Sequence, residues 1–107
     1  MERIYNITAA VDADIALAWA REAADSFLPA LRNVPGVEGV ELIEVPSVPG
    51  SNPGEGRTYT VQIRFDGQEA LENFLGNAER EAEQALHERF GQKYLTFRLV
   101  LRSLHRL

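Results

Sequence analysis

The chain has 107 residues, 45% of them apolar and 25% charged, which suits one globular domain spanning residues 1–107 with a single core. Its net charge of −5 argues against nucleic acid or an anionic membrane surface as the main partner. Cysteine is absent, which excludes disulfides, thiolate metal sites and cysteine nucleophiles and fits a reducing compartment.

No apolar stretch of the signal-peptide kind follows the N-terminal charges, and no apolar run approaches the ~20 residues that span a bilayer. The expected location is therefore the cytoplasm. RIYNITAAV, residues 3–11, alternates Tyr5, Ile7, Ala9 and Val11 against Ile4, Asn6, Thr8 and Ala10, the period of a strand. Asp12 is placed to cap the helix that follows, with Asp14 in its first turn. Ile15, Trp19, Ala23, Phe27 and Ala30 form its apolar stripe, widened by Leu17, Ala20, Ala24, Leu28 and Leu31. Pro29 should kink this helix or restart it near Leu28.

VPG, residues 34–36, closes the helix, and VEGVELIEV, residues 37–45, reads as an edge strand carrying Glu38, Glu41 and Glu44. The Pro-, Gly- and Ser-rich run that follows, residues 46–56, is a long hairpin connection. RTYTVQIRF, residues 57–65, is the clearest strand in the chain. Asp66 and Glu69 have the spacing of a capping box. Leu71, Phe74, Leu75, Ala78, Ala82, Ala85, Leu86 and Phe90 then mark a second helix that Gly76 and Asn77 can split. In HERFGQK, residues 87–93, the helix should end, with Arg89 at the negative end of its dipole, Gly91 as a left-handed terminal residue, and Lys93 answering the last carbonyls. From Tyr94 to Leu104 the period returns to two.

The order β-α-β-β-α-β points to an α+β, ferredoxin-like fold: a four-stranded antiparallel sheet with both helices on one face. On the rule that apolar residues face the helices, Ile7, Val61, Ile63, Phe97 and Leu99 lead the covered face. Asn6, Thr8, Thr60, Gln62, Arg64, Thr96 and Arg98 then lie on the open face, with Ile4, Ala10, Ile43 and Val100 among them. That semi-polar face is either solvated or covered by a second subunit, or it forms a cleft between two such sheets where Arg64 and Arg98 hold an anion. The candidate ligand-binding residues are Asn6, Thr8, Gln62, Arg64 and Arg98.

IYNIT at the start, the Leu28–Pro29 pair on an aromatic-bearing helix, TYTVQIRF, and the FGQK turn before an FR-containing last strand resemble domain-of-unknown-function family 4286. The likeness runs from about Ile4 to Leu101. These are small bacterial proteins that resemble the dimeric α/β-barrel group of ferredoxin-like folds. The resemblance implies the fold and a homodimer formed through the open sheet face, and it implies no activity. Where members often carry a polar residue before the hydrophobic–Pro pair, this chain has Phe27.

Glu79, Glu83 and His87 have helical spacing that metal sites use, but they are too few for a convincing ligand set, and no metal or cofactor is expected. Ser26, Ser47, Ser51 and Ser103 lack a nucleophile's setting, and the Gly-rich loop lacks a P-loop lysine. Trp19 reads as core. Nucleic-acid binding by the basic last strand lacks interleaved exposed aromatics beyond Tyr94. Two functions remain: a homodimeric binding or regulatory module for a small polar or anionic ligand, and a cofactor-independent enzyme, oxygenase- or isomerase-like, with its pocket between sheet and helices.

Overall fold

The computed structural model describes residues 2–46, 56–105 and 107; most of the hairpin connection, residues 47–55, and Arg106 lie outside the described residues. Strand β1 (Arg3–Val11) leads into helix α1 (Ala16–Glu22), which runs through a π-helical turn (Ala23–Phe27) into α2 (Leu28–Arg32). Strands β2 (Val37–Val45) and β3 (Arg57–Phe65) follow. Helix α3 (Gln68–Asn73) continues through a second π-helical turn (Phe74–Ala78) into α4 (Glu79–Phe90), and a 3-10 turn (Gly91–Lys93) opens β4 (Tyr94–Arg102). The sheet has the order β2-β3-β1-β4 and is antiparallel throughout, the ferredoxin-like arrangement. No helix among the described residues is long and apolar enough to cross a membrane.

After Ala16 and Leu71, which lie three residues ahead, both helical runs carry their buried residues at steps of four. In the first these are Trp19, Ala23, Phe27 and Leu31; in the second Leu86 and Phe90 are buried on the row that starts at Phe74 and passes through the half-buried Ala78 and Ala82. In a regular α-helix each such step drifts about 40° around the axis. A π turn, wider by nearly one residue, takes up that drift and returns the row to the sheet. The first π turn ends immediately before Leu28 and Pro29, where the missing proline N–H loosens the helix in any case. The second contains Gly76, whose ψ of −120° is non-helical, so the split at Gly76 and Asn77 is present. Leu17, Ala24, Leu75 and Ala85 fall off these rows and are exposed.

Against the helices the sheet sets Tyr5, Ile7, Ala9 and Val11 of β1, and Tyr59, Val61, Ile63 and Phe65 of β3, all buried. Strand β4 departs from expectation. Its register with β1 places Val11 opposite Tyr94, Ile7 opposite Arg98 and Tyr5 opposite Val100. Cross-strand partners share a face, so Tyr94, Thr96, Arg98, Val100 and Arg102 lie on the helix side and Leu95, Phe97, Leu99 and Leu101 on the open side. Phe97 and Leu99, expected in the core, are 64% and 57% exposed. Thr96, Arg98 and Val100 leave the open face. Tyr94 fixes this phase: its ring meets Trp19 edge-on at 5.6 Å and is buried there.

The expected helix caps do not form. Ile15 and Gly67 occupy the N-cap positions without side-chain bonds. Asp12 instead ties the strand end to the 3-10 turn through its N–H and the Lys93 carbonyl, 2.9 Å apart. The backbone N–H of Asp66 donates to the Gly36 carbonyl. Gly91 is right-handed, with φ −47°, because the chain continues into the 3-10 turn rather than reversing. A Cβ at Gly91 would lie 3.1 Å from the His87 ring. Lys93 pairs with Asp14, and Arg89 bonds Glu22 at 3.2 Å while lying over the Phe90 ring.

Gly36 has φ +89°, and a Cβ there would stand 2.5 Å from the Ala70 Cβ. Gly36→Ala should therefore lose at least ~1–2 kcal/mol from the left-handed backbone alone, with the clash adding to it. Urea denaturation, read as a lower midpoint at unchanged slope, checks this.

Candidate functional site

Two surfaces flank β4. On its helix side Arg98 stands beneath α4 with its guanidinium held at three points. Nε donates to Glu79, Nη2 donates to Glu83 Oε1 at 2.6 Å, and Nη1 donates to Thr96 Oγ1. Glu79 and Glu83 sit one helical turn apart on the face of α4 that looks down on the sheet, so one planar fork meets both. Each carboxylate also accepts a phenol. The Tyr5 hydroxyl donates to Glu79 Oε1 at 2.9 Å, and the Tyr94 hydroxyl donates to Glu83 Oε2 at 2.8 Å. The network links β1, β4 and α4 where apolar packing would otherwise join helix to sheet.

Burial, then the hydrogen bond and negative charge of Glu79, pushes the Tyr5 phenol well above the ordinary tyrosine range, despite the opposing Arg98 charge. Burial and Glu83 do the same to Tyr94. For Arg98 burial acts against the charge, but the bond to Glu79 and the charges of Glu79 and Glu83 outweigh it and hold the guanidinium more firmly protonated. With two of its partners ionic, Arg98 holds helix and sheet together and offers only part of its fork to anything outside.

Beside this network, along α4 toward β4, runs an open groove of about 650 Å³ lined by Leu75, Gly76, Glu83, Gln84, His87 and Arg98 among others. Of Asn6, Gln62, Arg64 and Arg98, only Arg98 reaches it. The space between the helices and the sheet is filled by rings. Trp19 stacks on Tyr59 at 5.3 Å, and Phe74 meets Tyr5 and Phe65 at 5.6 and 5.2 Å. Among the described residues, the Trp19 indole Nε1 is buried there without a hydrogen-bond partner.

On the open face the structure brings together Asn6, Thr8, Gln62 and Arg64. Asn6 stands opposite Gln62 and Thr8 opposite Thr60 on the two central strands. Asn6 Nδ2 donates to Thr8 Oγ1 at 3.1 Å, and the Thr8 and Thr60 hydroxyls are 3.3 Å apart. Arg64 is 3.7 Å from Glu2. Arg98 is absent from this group, a correction that follows from the β4 register. Beside the polar centre lies an apolar margin, with Leu101, Leu99, Phe97 and Leu95 opposite Ile4, Asn6, Thr8 and Ala10. Tyr5, Tyr94, Glu79 and Glu83 were not candidates from sequence as members of one site. The available signal was two glutamates four residues apart facing a strand arginine, which reads equally as a solvated acidic helix.

A family model, Domain of unknown function (DUF4286), matches residues 2–104, and the chain belongs to that family. No curated protein matches it. Solved structures of similar fold include an ethyl tert-butyl ether D (EthD) family protein from Bacillus halodurans, with TM-score 0.70 and 11% identity over 95% of this chain and 99% of that one. SnoaB, a cofactor-independent oxygenase from Streptomyces nogalater, aligns with TM-score 0.68 and 12% identity over 99% and 96%. HapK from Hahella chejuensis aligns with TM-score 0.67 and 14% identity over 99% and 95%. At these identities the likeness is one of fold.

The raised phenols set a pH dependence. Below the unfolded tyrosine range, about pH 10, both states keep their protons and the contribution is fully present. Above it the unfolded chain releases protons that the folded chain retains, so stability falls as pH rises. Urea midpoints should stay level from pH 8 to about 9.5 and then drop, and the double variant Tyr5→Phe/Tyr94→Phe should lose most of that drop. An unchanged alkaline slope in the double variant would show that the two phenols do not cause it.

Proposed function

We propose that this member of the DUF4286 family is a cytoplasmic homodimer that packs two open sheet faces together and holds a small polar ligand between them. One observation carries the reading: Leu95, Phe97, Leu99 and Leu101 line the open face of β4 at 69, 64, 57 and 37% exposure. A sheet face that meets water normally alternates to polar residues on that side. A contiguous apolar row of this kind is the mark of a covered surface, and burying each such side chain contributes about 1.5–3 kcal/mol.

The face has roughly the size required. Four strands at about 4.8 Å spacing and nine residues at about 3.3 Å give ~570 Å² of projected area, comparable with the ~800 Å² of accessible surface that each partner buries in a standard interface. Asn6, Thr8, Gln62 and Arg64, on the central strands, would then line the enclosed space and contact the ligand. With Arg98 turned to the helix side and Arg64 near Glu2, the cationic complement of that space is modest. A neutral polar or weakly anionic ligand suits it better than a highly charged one.

The enzyme alternative draws on the fold shared with SnoaB, whereas the interior between sheet and helices is filled by Trp19, Tyr59, Tyr94, Phe74 and Phe65. The dimer is tested by light scattering. The wild-type chain should have twice the monomer mass at micromolar concentration, and Phe97→Lys/Leu99→Glu should be a folded monomer. A monomeric wild type, or a double variant that remains dimeric, would remove this interface from consideration.

A further inference from the structure

We propose that the open face of β2 and β3 recognises a flat, neutral heterocycle with an aminopyrimidinone edge, the edge that guanine and pterin rings share. This names a ligand class for the proposed function and rests on its homodimer, which would enclose that face. One row of side chains across the sheet carries the inference. Glu41 of β2 stands opposite Gln62 of β3, Gln62 opposite Asn6 of β1, and Asn6 opposite Leu99 of β4. Cross-strand partners share a face. A carboxylate, two amides and a leucine therefore lie side by side, each about 4.8 Å from the next, the spacing of neighbouring strands.

This row holds hydrogen-bonding capacity that the chain itself does not use. The polar groups around it are matched: Arg64 lies 3.7 Å from Glu2, and Asn6, Thr8 and Thr60 bond among themselves. Glu41 and Gln62 have no side-chain hydrogen bond or ion pair among the described residues. In the single chain Glu41 is exposed and Gln62 half-buried, so water serves both. A second sheet laid over the face removes that water. An enclosed carboxylate without donors is strongly unfavourable, so the dimer needs a group that meets Glu41.

The order of donors and acceptors along the row defines what fits. Glu41 offers two acceptor oxygens, and Gln62 offers a donor in Nε2 beside an acceptor in Oε1. An aminopyrimidinone presents an exocyclic N–H, a ring N–H and a carbonyl oxygen in line. Its two N–H groups donate to the Glu41 carboxylate as a charge-assisted pair, and its carbonyl accepts from Gln62 Nε2. Asn6 Nδ2 is committed to Thr8, which leaves Oδ1 for a further donor. Ile43, on the same face two residues along β2, and Leu99, at the far end of the row, give a flat ring apolar contact. A cation would satisfy Glu41 but would face the N–H groups of Gln62, so a neutral ring fits the row better.

The test is calorimetric titration of the full-length protein, with light scattering on the same samples. Guanosine and pterin are the probes and separate a nucleoside from a pterin source. Inosine lacks the exocyclic amine, and adenosine lacks both the ring N–H and the carbonyl. Guanosine or pterin should bind, inosine at least roughly tenfold more weakly than guanosine, and adenosine not at all. Glu41→Gln and Gln62→Leu should each weaken the bound probe at least roughly tenfold while the dimer mass stays unchanged. A dimer that binds neither guanosine nor pterin, or that binds inosine and adenosine as tightly as guanosine, overturns this inference and leaves the homodimer standing. So does a Glu41→Gln chain that turns monomeric, which would assign the carboxylate to the partner subunit instead of a ligand. A monomeric wild type removes the homodimer and this inference with it.

Discussion

The register that sets Ile7 of β1 opposite Arg98 of β4 decides the character of both sheet surfaces. A strand has two faces and a period of two, so one pairing fixes the orientation of every β4 side chain at once. With Tyr94 packed on Trp19, the even-numbered residues of β4 must look toward the helices and the odd-numbered ones away. The helix side then receives an arginine, and the open side receives three leucines and a phenylalanine. Helix α4 answers the arginine with Glu79 and Glu83, and the phenols of Tyr5 and Tyr94 complete the bonds. Near the β4 edge, α4 is therefore tied to the sheet by directional, charged bonds, and closer to the centre by Leu86 and Phe90.

The two kinds of attachment behave differently. Apolar packing tolerates sliding by small amounts, whereas a guanidinium fork spanning two carboxylates does not. Arg98 is about one-third exposed, so the bridge is partly screened by solvent and its worth is below that of a buried pair. Its effect is chiefly to set the rotation of α4, which matters for a helix whose path is already softened at Gly76 and by a π turn.

Most of the architecture was legible in the residues. The alternation in β1 and β3, the helical stripes and the Pro-Gly punctuation gave the strand and helix order, and Gly76 and Pro29 marked where the helices deviate. The phase of β4 was not legible. Its two sets, Leu95/Phe97/Leu99/Leu101 and Tyr94/Thr96/Arg98/Val100/Arg102, point to opposite assignments depending on whether the more apolar set faces the helices or a second sheet. The rule that apolar residues lie inside a protein holds in one direction only. It fails on β4, where Leu95, Phe97, Leu99 and Leu101 stand exposed on the open face. The expected caps fail for a different reason: Asp12 and Asp66 have the correct side chains, but the helices begin later, at Ile15 and Gly67, and the two aspartates are tied by their backbone N–H groups to Lys93 and Gly36. Arg98, expected to bind a ligand on the open face, stands instead on the helix side beneath α4.

The strand order carries a consequence for how the chain is made. Strand β1 is paired on both edges, and one of its partners is β4, with Arg3 joined to Arg102 at the opposite end of the sequence. During synthesis β1 can acquire β3 while the later residues are still inside the ribosome, but its other edge stays bare until the final strand emerges. The half-formed sheet would also lack Tyr94 over Trp19 and Arg98 under α4, so the tryptophan would remain partly wetted and the second helix untethered. Assembly of this protein thus closes with its last strand, and a nascent chain halted before residue 94 should be the form most in need of a chaperone.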